Sequence, residues 1–454
     1  MRRALVMALL AALAGAPAHA AAFPPDSAVR AILAARVATG RVPGLVVGLL
    51  DHGATRVIVA GVADSASTRP LDGRTVFEIG SVTKVFTATL LADMARRGEV
   101  RLDQPVAELL PKTVHVPEKD GRRITLLDLA TQRSGLPRVP SNLAPEGPNP
   151  YAEYTVPLLY DFLSHYTLTR GVGERYEYSN LGMGLLGHAL ALEAKQSYEA
   201  LLIERVLDPL GMKETRITLT HDLETRLAPG HDLAGKPVPN WDLPTLAGAG
   251  ALRSTAADLL RFVAANLDSN GTALAADLFA THARRNDTTS PHVAIGLAWH
   301  IIERPEGNIW MHNGGTGGYH TLIAFDPRRD VGVVVLGNSA ATVDDIGFHL
   351  LAADAPLEPV AQHAEVKIDP RLFDRYVGRY VFTPAFAIDV TREGDALFLQ
   401  ATGQPRLPVF PESDTRFFLK AVEAQISFEP DSTGRAAALI LHQNGRDQRA
   451  PRVP

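Results

Sequence analysis

Ser81 and Lys84 stand three residues apart in Phe77-Glu78-Ile79-Gly80-Ser81-Val82-Thr83-Lys84. On a helix that spacing puts hydroxyl and ammonium on one face, about one turn apart. A hydroxyl attacks a carbonyl only when a proton acceptor sits beside it. Alone, the pair means little, because Ser-x-x-Lys recurs as a solvated surface pair on many helices. The commoner catalytic arrangements are missing. Position 79 is Ile, so Ser81 is not on a Gly-x-Ser-x-Gly elbow. There is no His-Glu-x-x-His, and the fifteen histidines lack ligand spacing, which argues against a metal. The glycines of 313–318 follow a strand pattern, but no helix start or P-loop lysine comes after them. With no Cys, a cysteine nucleophile, thiolate metal sites and disulfides are excluded. No cofactor is expected.

The elements around the pair favour a built site. Gly80 lets the chain turn tightly into a helix. Residues 85–97 are apolar on most sides (Val85, Phe86, Leu90, Leu91, Met94), the pattern of a helix buried in a large domain, and Gly98 offers a stop. Upstream, 24–40 reads as a surface helix, and 46–50 and 56–62 as a hairpin across Asp51-His52-Gly53. Helices are expected at 126–130, 181–193, 197–207 and 255–267, with a long Pro- and Asn-rich loop at 138–150. Strands follow at 295–302, 309–312, 319–325 and 331–336, then a helix at 343–351. Strands thus lie at both ends of this region and helices fill its middle. That predicts an antiparallel sheet assembled from both ends of the sequence, with a helical lobe inserted.

The chain has 454 residues, 46% hydrophobic, with net charge −5. This is enough for one large domain and a smaller one. The mild charge without like-charge blocks favours neither nucleic acid nor an anionic membrane. Arg2 and Arg3, the apolar run 4–14 and Ala18-His19-Ala20 read as a cleavable secretory signal over 1–20. Its removal takes two arginines from a chain of net charge −5, leaving −7. Later segments are too short or too polar to span a membrane, so the expected location is periplasmic or secreted. The signal precedes a domain over 21–352 and an Ala/Pro/Glu-rich linker over 353–370. Short strands separated by Gly, Pro and Asp then predict a small all-β, barrel-like domain over 371–454. The sequence leaves the oligomeric state open.

Two further stretches stand out: Tyr176-Glu177-Tyr178-Ser179-Asn180-Leu181-Gly182, and Trp310-Met311-His312-Asn313-Gly314-Gly315-Thr316-Gly317-Gly318-Tyr319. Tyr178-Ser179-Asn180 begins 97 residues after Ser81, and His312-Asn313-Gly314 another 134 on. In that order the three segments resemble the motifs of the penicillin-recognising serine hydrolases. The Tyr-x-Asn form is similar to that of class C β-lactamases, D-Ala-D-Ala carboxypeptidase/endopeptidases and β-lactamase-like esterases. Supporting matches are 125–137 and 252–258, and the resemblance covers roughly 25–352. It implies an α+β fold of the β-lactamase/transpeptidase type, an antiparallel sheet flanked by helices.

By this resemblance Ser81 is the acylated nucleophile, and Lys84, partly desolvated, relays a proton. Tyr178 acts as base, cations beside it making the phenolate accessible. Asn180 binds a substrate amide together with Lys84. Backbone N–H groups of Ser81 and Gly315 form the oxyanion hole, and Gly314 permits close backbone approach. Asn338 is a candidate carboxylate contact. His312 departs from the family, because most β-lactamases have Lys there. An imidazole titrating near about 6.5 is mostly neutral at pH 7, which weakens carboxylate recognition and leaves room for esters. The implied activity is β-lactam hydrolysis, with D-Ala-D-Ala peptidase and short-chain esterase activities as alternatives, and a non-catalytic penicillin-binding sensor as the reading from another class. Tyr376-Val377-Gly378-Arg379-Tyr380 resembles the start of the β-domain appended to some relatives.

Overall fold

A computed structural model describes residues 22–453 except 65–68, 145–146, 234, 360–362, 364, 384–385, 403–405, 420–423 and 444–445. The expected signal over 1–20 lies outside the described residues. In chain order the elements that matter for the site are α1 (Asp26–Ala38), β1 (Gly44–Asp51), β2 (Ala54–Asp64), α2 (Thr83–Arg96), α3 (Asn180–Ala194), α4 (Ala256–Leu267), β3 (Ile309–Gly315), β4 (His320–Asp326), β5 (Val331–Gly337) and α5 (Asp344–Leu351).

The main sheet has nine strands. Its order runs from Arg69–Pro70 through β2, β1, β5, β4 and β3 to the short strands His300–Ile302, Val293–Ile295 and Asn286–Asp287. β1 and β2 form the expected hairpin, turned by His52 at φ +48° and Gly53 at φ +79°. The closing pair joins the two ends of the domain: β1 runs antiparallel to β5, from Leu45 opposite Gly337 to Asp51 opposite Val331.

Alternate residues of these strands face opposite layers, as the two-residue period dictates. Leu45, Val47, Leu49, Val333 and Val335 pack with Val29 and Leu33 of α1 and Ile346 and Leu350 of α5. Val46, Leu50, Ile323, Phe325, Val334 and Leu336 pack with the larger helical side, including Phe86 of α2 and Leu259, Leu260, Phe262 and Val263 of α4. Twelve of the fourteen residues of α2 are buried. Its far end is held by the buried Asp93, whose carboxylate accepts from Arg96, Arg97 and Arg205. Gly98 at φ +73° follows, in the left-handed conformation that ends helices.

Strands Gly378–Thr383 to Arg446–Val453 close an eight-stranded antiparallel barrel. Its core sets Phe373, Tyr376, Tyr380, Phe417 and Phe428 among aliphatic residues such as Ile388, Leu397, Ile426 and Leu439, and Tyr376 stacks on Phe428 at 4.3 Å. Arg41 of the first domain donates to the Leu419 carbonyl of the barrel at 2.9 Å. Among the described residues no helix is long and apolar enough to cross a membrane.

Local details depart from the sequence expectation. The strand expected over 295–302 is two strands, Val293–Ile295 and His300–Ile302, broken where Ala298 adopts φ +61° and donates to the Ala130 carbonyl. Helices Val156–His165 and Ala275–His282 and barrel strand Arg406–Pro411 were not foreseen. The prolines at 157, 408 and 411 mask the periodicity of two of these elements.

Candidate active site

The segment before Ser81 is held on both sides. Phe77–Glu78 pairs with Arg253–Ser254, and the Ile79 N–H donates to the Leu252 carbonyl at 3.0 Å. On the other side the chain lies against β3. A Cβ on Gly314 would stand 2.0 Å from the Ile79 carbonyl oxygen, and one on Gly80 would stand 2.9 Å from the nitrogen and oxygen of Gly315. Gly80 also has φ +48°, so it is glycine for two independent reasons. The 3-10 turn Gly80–Val82 then carries Ser81 into the start of α2. Ser81 is partly exposed and Gly315 exposed, so a reacting group can approach between their backbones. The opposite face of β3 is clamped separately: Asn313 Nδ2 donates to Asp344 Oδ2, whose other oxygen meets His320 Nε2 at 3.0 Å.

Lys84, one turn into the helix, is fully buried. Its Nζ donates to Ser81 Oγ at 2.8 Å, Asn180 Oδ1 at 2.9 Å and the Ala249 carbonyl at 2.6 Å. All three acceptors are uncharged. Burial, and secondly the charge of Arg138, hold the amine well below its ordinary range. A lysine driven toward neutrality within hydrogen-bond reach of a serine is a proton acceptor for that serine.

Tyr178 and Asn180 reach the site from the start of α3. The Ser179 hydroxyl, not Asn180, caps this helix, accepting from Gly182 N at 2.8 Å. That frees the Asn180 side chain for the site, where its Nδ2 donates to Tyr151 Oη at 3.2 Å. The loop 132–138 fixes the pair. Gln132, at φ +59°, accepts from Ser179 N through Oε1, while Ser179 Oγ donates to the Pro137 carbonyl and Asn180 N to the Arg138 carbonyl. The Tyr178 ring lies with Lys84 Nζ 4.8 Å and Arg138 Cζ 5.0 Å from its centroid.

The structure corrects the expected ionisation of this tyrosine. Burial raises the Tyr178 phenol, and the opposing pulls of the Ser81 hydroxyl and Arg138 are smaller. The charge of Arg138, close enough to favour a phenolate, is outweighed by the low dielectric around the ring. The resting pair is therefore a neutral phenol beside an amine pushed toward neutrality.

His312 faces the same space, its ring 6.4 Å from Tyr178 and 5.3 Å from His300. It is 1% exposed. Nδ1 meets the Asn313 carbonyl at 2.7 Å, and Nε2 is buried without a partner among the described residues. Burial, then the nearby His300 and Lys84, push the imidazole well below its usual value, so it is uncharged at neutral pH. His300, depressed to about 4 chiefly by burial, pairs with Tyr176 Oη at 2.9 Å. Asn338 is a correction. It is fully buried, and its amide donates to the Ala63 and Pro229 carbonyls, so it stitches backbone together and is not presented to a substrate carboxylate. The structure thus gathers Ser81, Lys84, Tyr178, Asn180, His312, Gly314 and Gly315. It adds Tyr151, Tyr176, His300 and Arg138. Of these only Tyr176 lay inside a motif singled out from sequence, and Arg138 immediately followed one. Among the described residues no group of three His, Asp or Glu side chains could hold a metal ion.

A family model described as "Beta-lactamase" matches residues 29–355, most of the chain. The chain belongs to this family. The Beta-lactamase match ends before a second one, to "Domain of unknown function (DUF3471)" at 362–451, which coincides with the barrel. Among curated relatives, a Penicillin-binding protein of Bacillus subtilis (strain 168) is 27% identical over 431 residues, 87% of this chain and 91% of the relative. The D-alanyl-D-alanine-carboxypeptidase/endopeptidase AmpH of Escherichia coli (strain K12) is 31% identical over 58% of this chain and 70% of its own length. Among solved structures, a class C beta-lactamase from Rhodobacter sphaeroides aligns with TM-score 0.60 at 27% identity, covering 70% of this chain and 95% of its own. A Beta-Lactamase/D-Alanine Carboxypeptidase from Pseudomonas syringae shares the fold at TM-score 0.64 and 22% identity, over 73% of this chain and 99% of its own. The chain is a penicillin-recognising serine hydrolase by family, and its relatives' names cover both β-lactamase and D-Ala carboxypeptidase activity.

Proposed function

We propose that this protein is an exported serine hydrolase that forms an acyl-enzyme on Ser81 and hydrolyses β-lactam amides. The observation that carries the reading is the 2.8 Å contact between Ser81 Oγ and a fully buried Lys84 whose partners are all neutral. Neutral Lys84 takes the Ser81 proton as Oγ bonds to the carbonyl carbon. The oxyanion so formed lies between the N–H groups of Ser81 and Gly315. Collapse of this intermediate breaks the C–N bond. The Tyr178 phenol donates its proton to the departing nitrogen and is reprotonated from Lys84, which returns the amine to neutrality. Water then attacks the ester with the same groups accepting its proton, and Ser81 leaves protonated. Asn180 holds Lys84 and offers its amide to the acyl group.

Attack on a linear acyl-D-Ala-D-Ala amide uses the same steps. That second reading is favoured by the carboxypeptidase/endopeptidase relative at 31% identity. Intact-protein mass spectrometry with benzylpenicillin tests the shared step. An acyl adduct on the wild type that is lost in Ser81→Ala supports it; no adduct, or an equal adduct on both, refutes it. Turnover of nitrocefin, a D-Ala-D-Ala peptide and p-nitrophenyl acetate then ranks the substrates, and the β-lactam reading requires nitrocefin to lead.

A further inference from the structure

We propose that Arg138 reads a free carboxylate on the substrate, so that the site selects acylating amides bearing an anionic group near the scissile carbonyl. This deepens the acyl-enzyme reading and rests on it. Within the site, Lys84 is held toward the neutral amine and the buried His312 is uncharged, so neither supplies a lasting positive charge. Arg138 does. Its guanidinium carbon lies 5.0 Å from the centroid of the Tyr178 ring, the same ring that has Lys84 Nζ at 4.8 Å. The side chain is exposed, and among the described residues it has no carboxylate partner.

Its neighbours differ. Arg170 and Arg175 both meet the Glu177 carboxylate, and Arg133 donates to the carbonyls of Gly173 and Glu174. Among the described residues Arg138 alone in this group keeps its donors for a ligand. Its backbone is fixed: the Arg138 carbonyl accepts from Asn180 N at 2.9 Å and Leu181 N at 3.2 Å, and Ser179 Oγ donates to the preceding Pro137 carbonyl at 2.6 Å. An aromatic face beneath a guanidinium leaves its planar fork open along the edge, which is the geometry for bidentate binding of a carboxylate. A substrate acyl group between Asn180 and β3 brings its own carboxylate past this edge. The charge that a lysine at position 312 would place on the β3 side enters here from the loop ahead of α3.

The test uses matched pairs on Ser81→Ala protein, so that binding is read without turnover. One pair is benzylpenicillin and its methyl ester; the other is an N-acyl D-Ala-D-Ala peptide and its C-terminal amide. With Arg138 intact, the carboxylate member of at least one pair binds about 10–100-fold tighter, as expected for a charge-assisted bidentate contact. The pair that shows the preference identifies the source of the carboxylate. Adding Arg138→Gln collapses that ratio to near one and leaves the neutral member within about twofold, while Arg138→Lys restores part of it. The proposal is overturned if no pair shows a preference, if Arg138→Gln leaves the preference unchanged, or if it weakens both members equally. Failure of the acyl-enzyme reading is separate: it is the absence of an adduct on protein with Ser81 intact, and it leaves the binding ratios as they are.

Discussion

Replacing Gly314 with alanine sets a defined wedge into the site. The new Cβ would stand 2.0 Å from the Ile79 carbonyl oxygen, where real Cβ atoms keep at least 3.0 Å. β3 and the nucleophile segment must therefore part by about 1 Å, a misplacement that typically costs catalysis about 10²-fold. The cost to stability is that of a modest overpacking, about 1–3 kcal/mol. The neighbouring position supplies the control. A Cβ on Gly315 meets nothing closer than 3.9 Å and points to the His320 face of the strand, away from Ile79. Gly315→Ala should keep kcat/KM within a few-fold of wild type, while Gly314→Ala loses about two orders of magnitude in nitrocefin turnover with a cooperative melt retained. Initial rates and thermal melts of the two variants decide it. Wild-type rates in Gly314→Ala, or an equal loss in both, would refute the argument that the spacing of Ile79 and β3 sets the reaction geometry.

Other outcomes follow from the same residues. Because Lys84 is depressed and Tyr178 raised, kcat/KM should be flat from neutral pH to about pH 10, with an acid limb belonging to the amine; an activity that appears only near pH 10 would show a charged lysine at rest. Tyr178→Phe should lower kcat by about 10²–10⁴-fold, as for loss of a general acid–base group, measured as steady-state turnover with the Ser81 adduct monitored in parallel. His282 and His300 are both depressed to about 4, so the folded state binds fewer protons than the unfolded chain between pH 6.5 and 4. Their stabilising contribution is complete above the unfolded value of about 6.5 and falls by about 1.4 kcal/mol per histidine for each pH unit below it. Urea midpoints at pH 7 and 5 should differ accordingly, and His282→Gln should flatten the dependence. Neither hydrophobic core of the first domain uses a residue beyond 357; a chain ending there should fold and acylate, read by mass spectrometry.

The fold was legible because its signals are local and repeated. The short continuous apolar runs of β1 and β5, buried on both faces, and the apolar run of α2 state their environments without reference to anything distant. Ser81, Lys84, Tyr178 and Asn180 were legible as types in sequence order. Their ionisation was not, because it depends on how much water the fold excludes, and no spacing records that. Tyr178 shows the difference: a cation beside the ring was expected to free its phenolate, yet desolvation outweighs the pull of Arg138. Asn338 was legible as a polar side chain after the last strand and so as a candidate carboxylate contact, whereas its amide is spent on the backbone carbonyls of Ala63 and Pro229. Arg138 stood at the edge of a matched stretch, at the start of the loop 138–150, but nothing in the sequence gave it a role. Its place over Tyr178 arises from hydrogen bonds between two loops about forty residues apart.

The pairing of β1 with β5 has a consequence for timing. Leu45 meets Gly337, so the centre of the sheet joins segments almost three hundred residues apart in the chain. Such contacts form late, since a long loop must close before they are rewarded. A growing chain that has delivered Ser81, Lys84 and Tyr178 still lacks the strand beside which Gly315 is held. Ser81 and Lys84 therefore wait through most of the domain's synthesis before β3 arrives beside them.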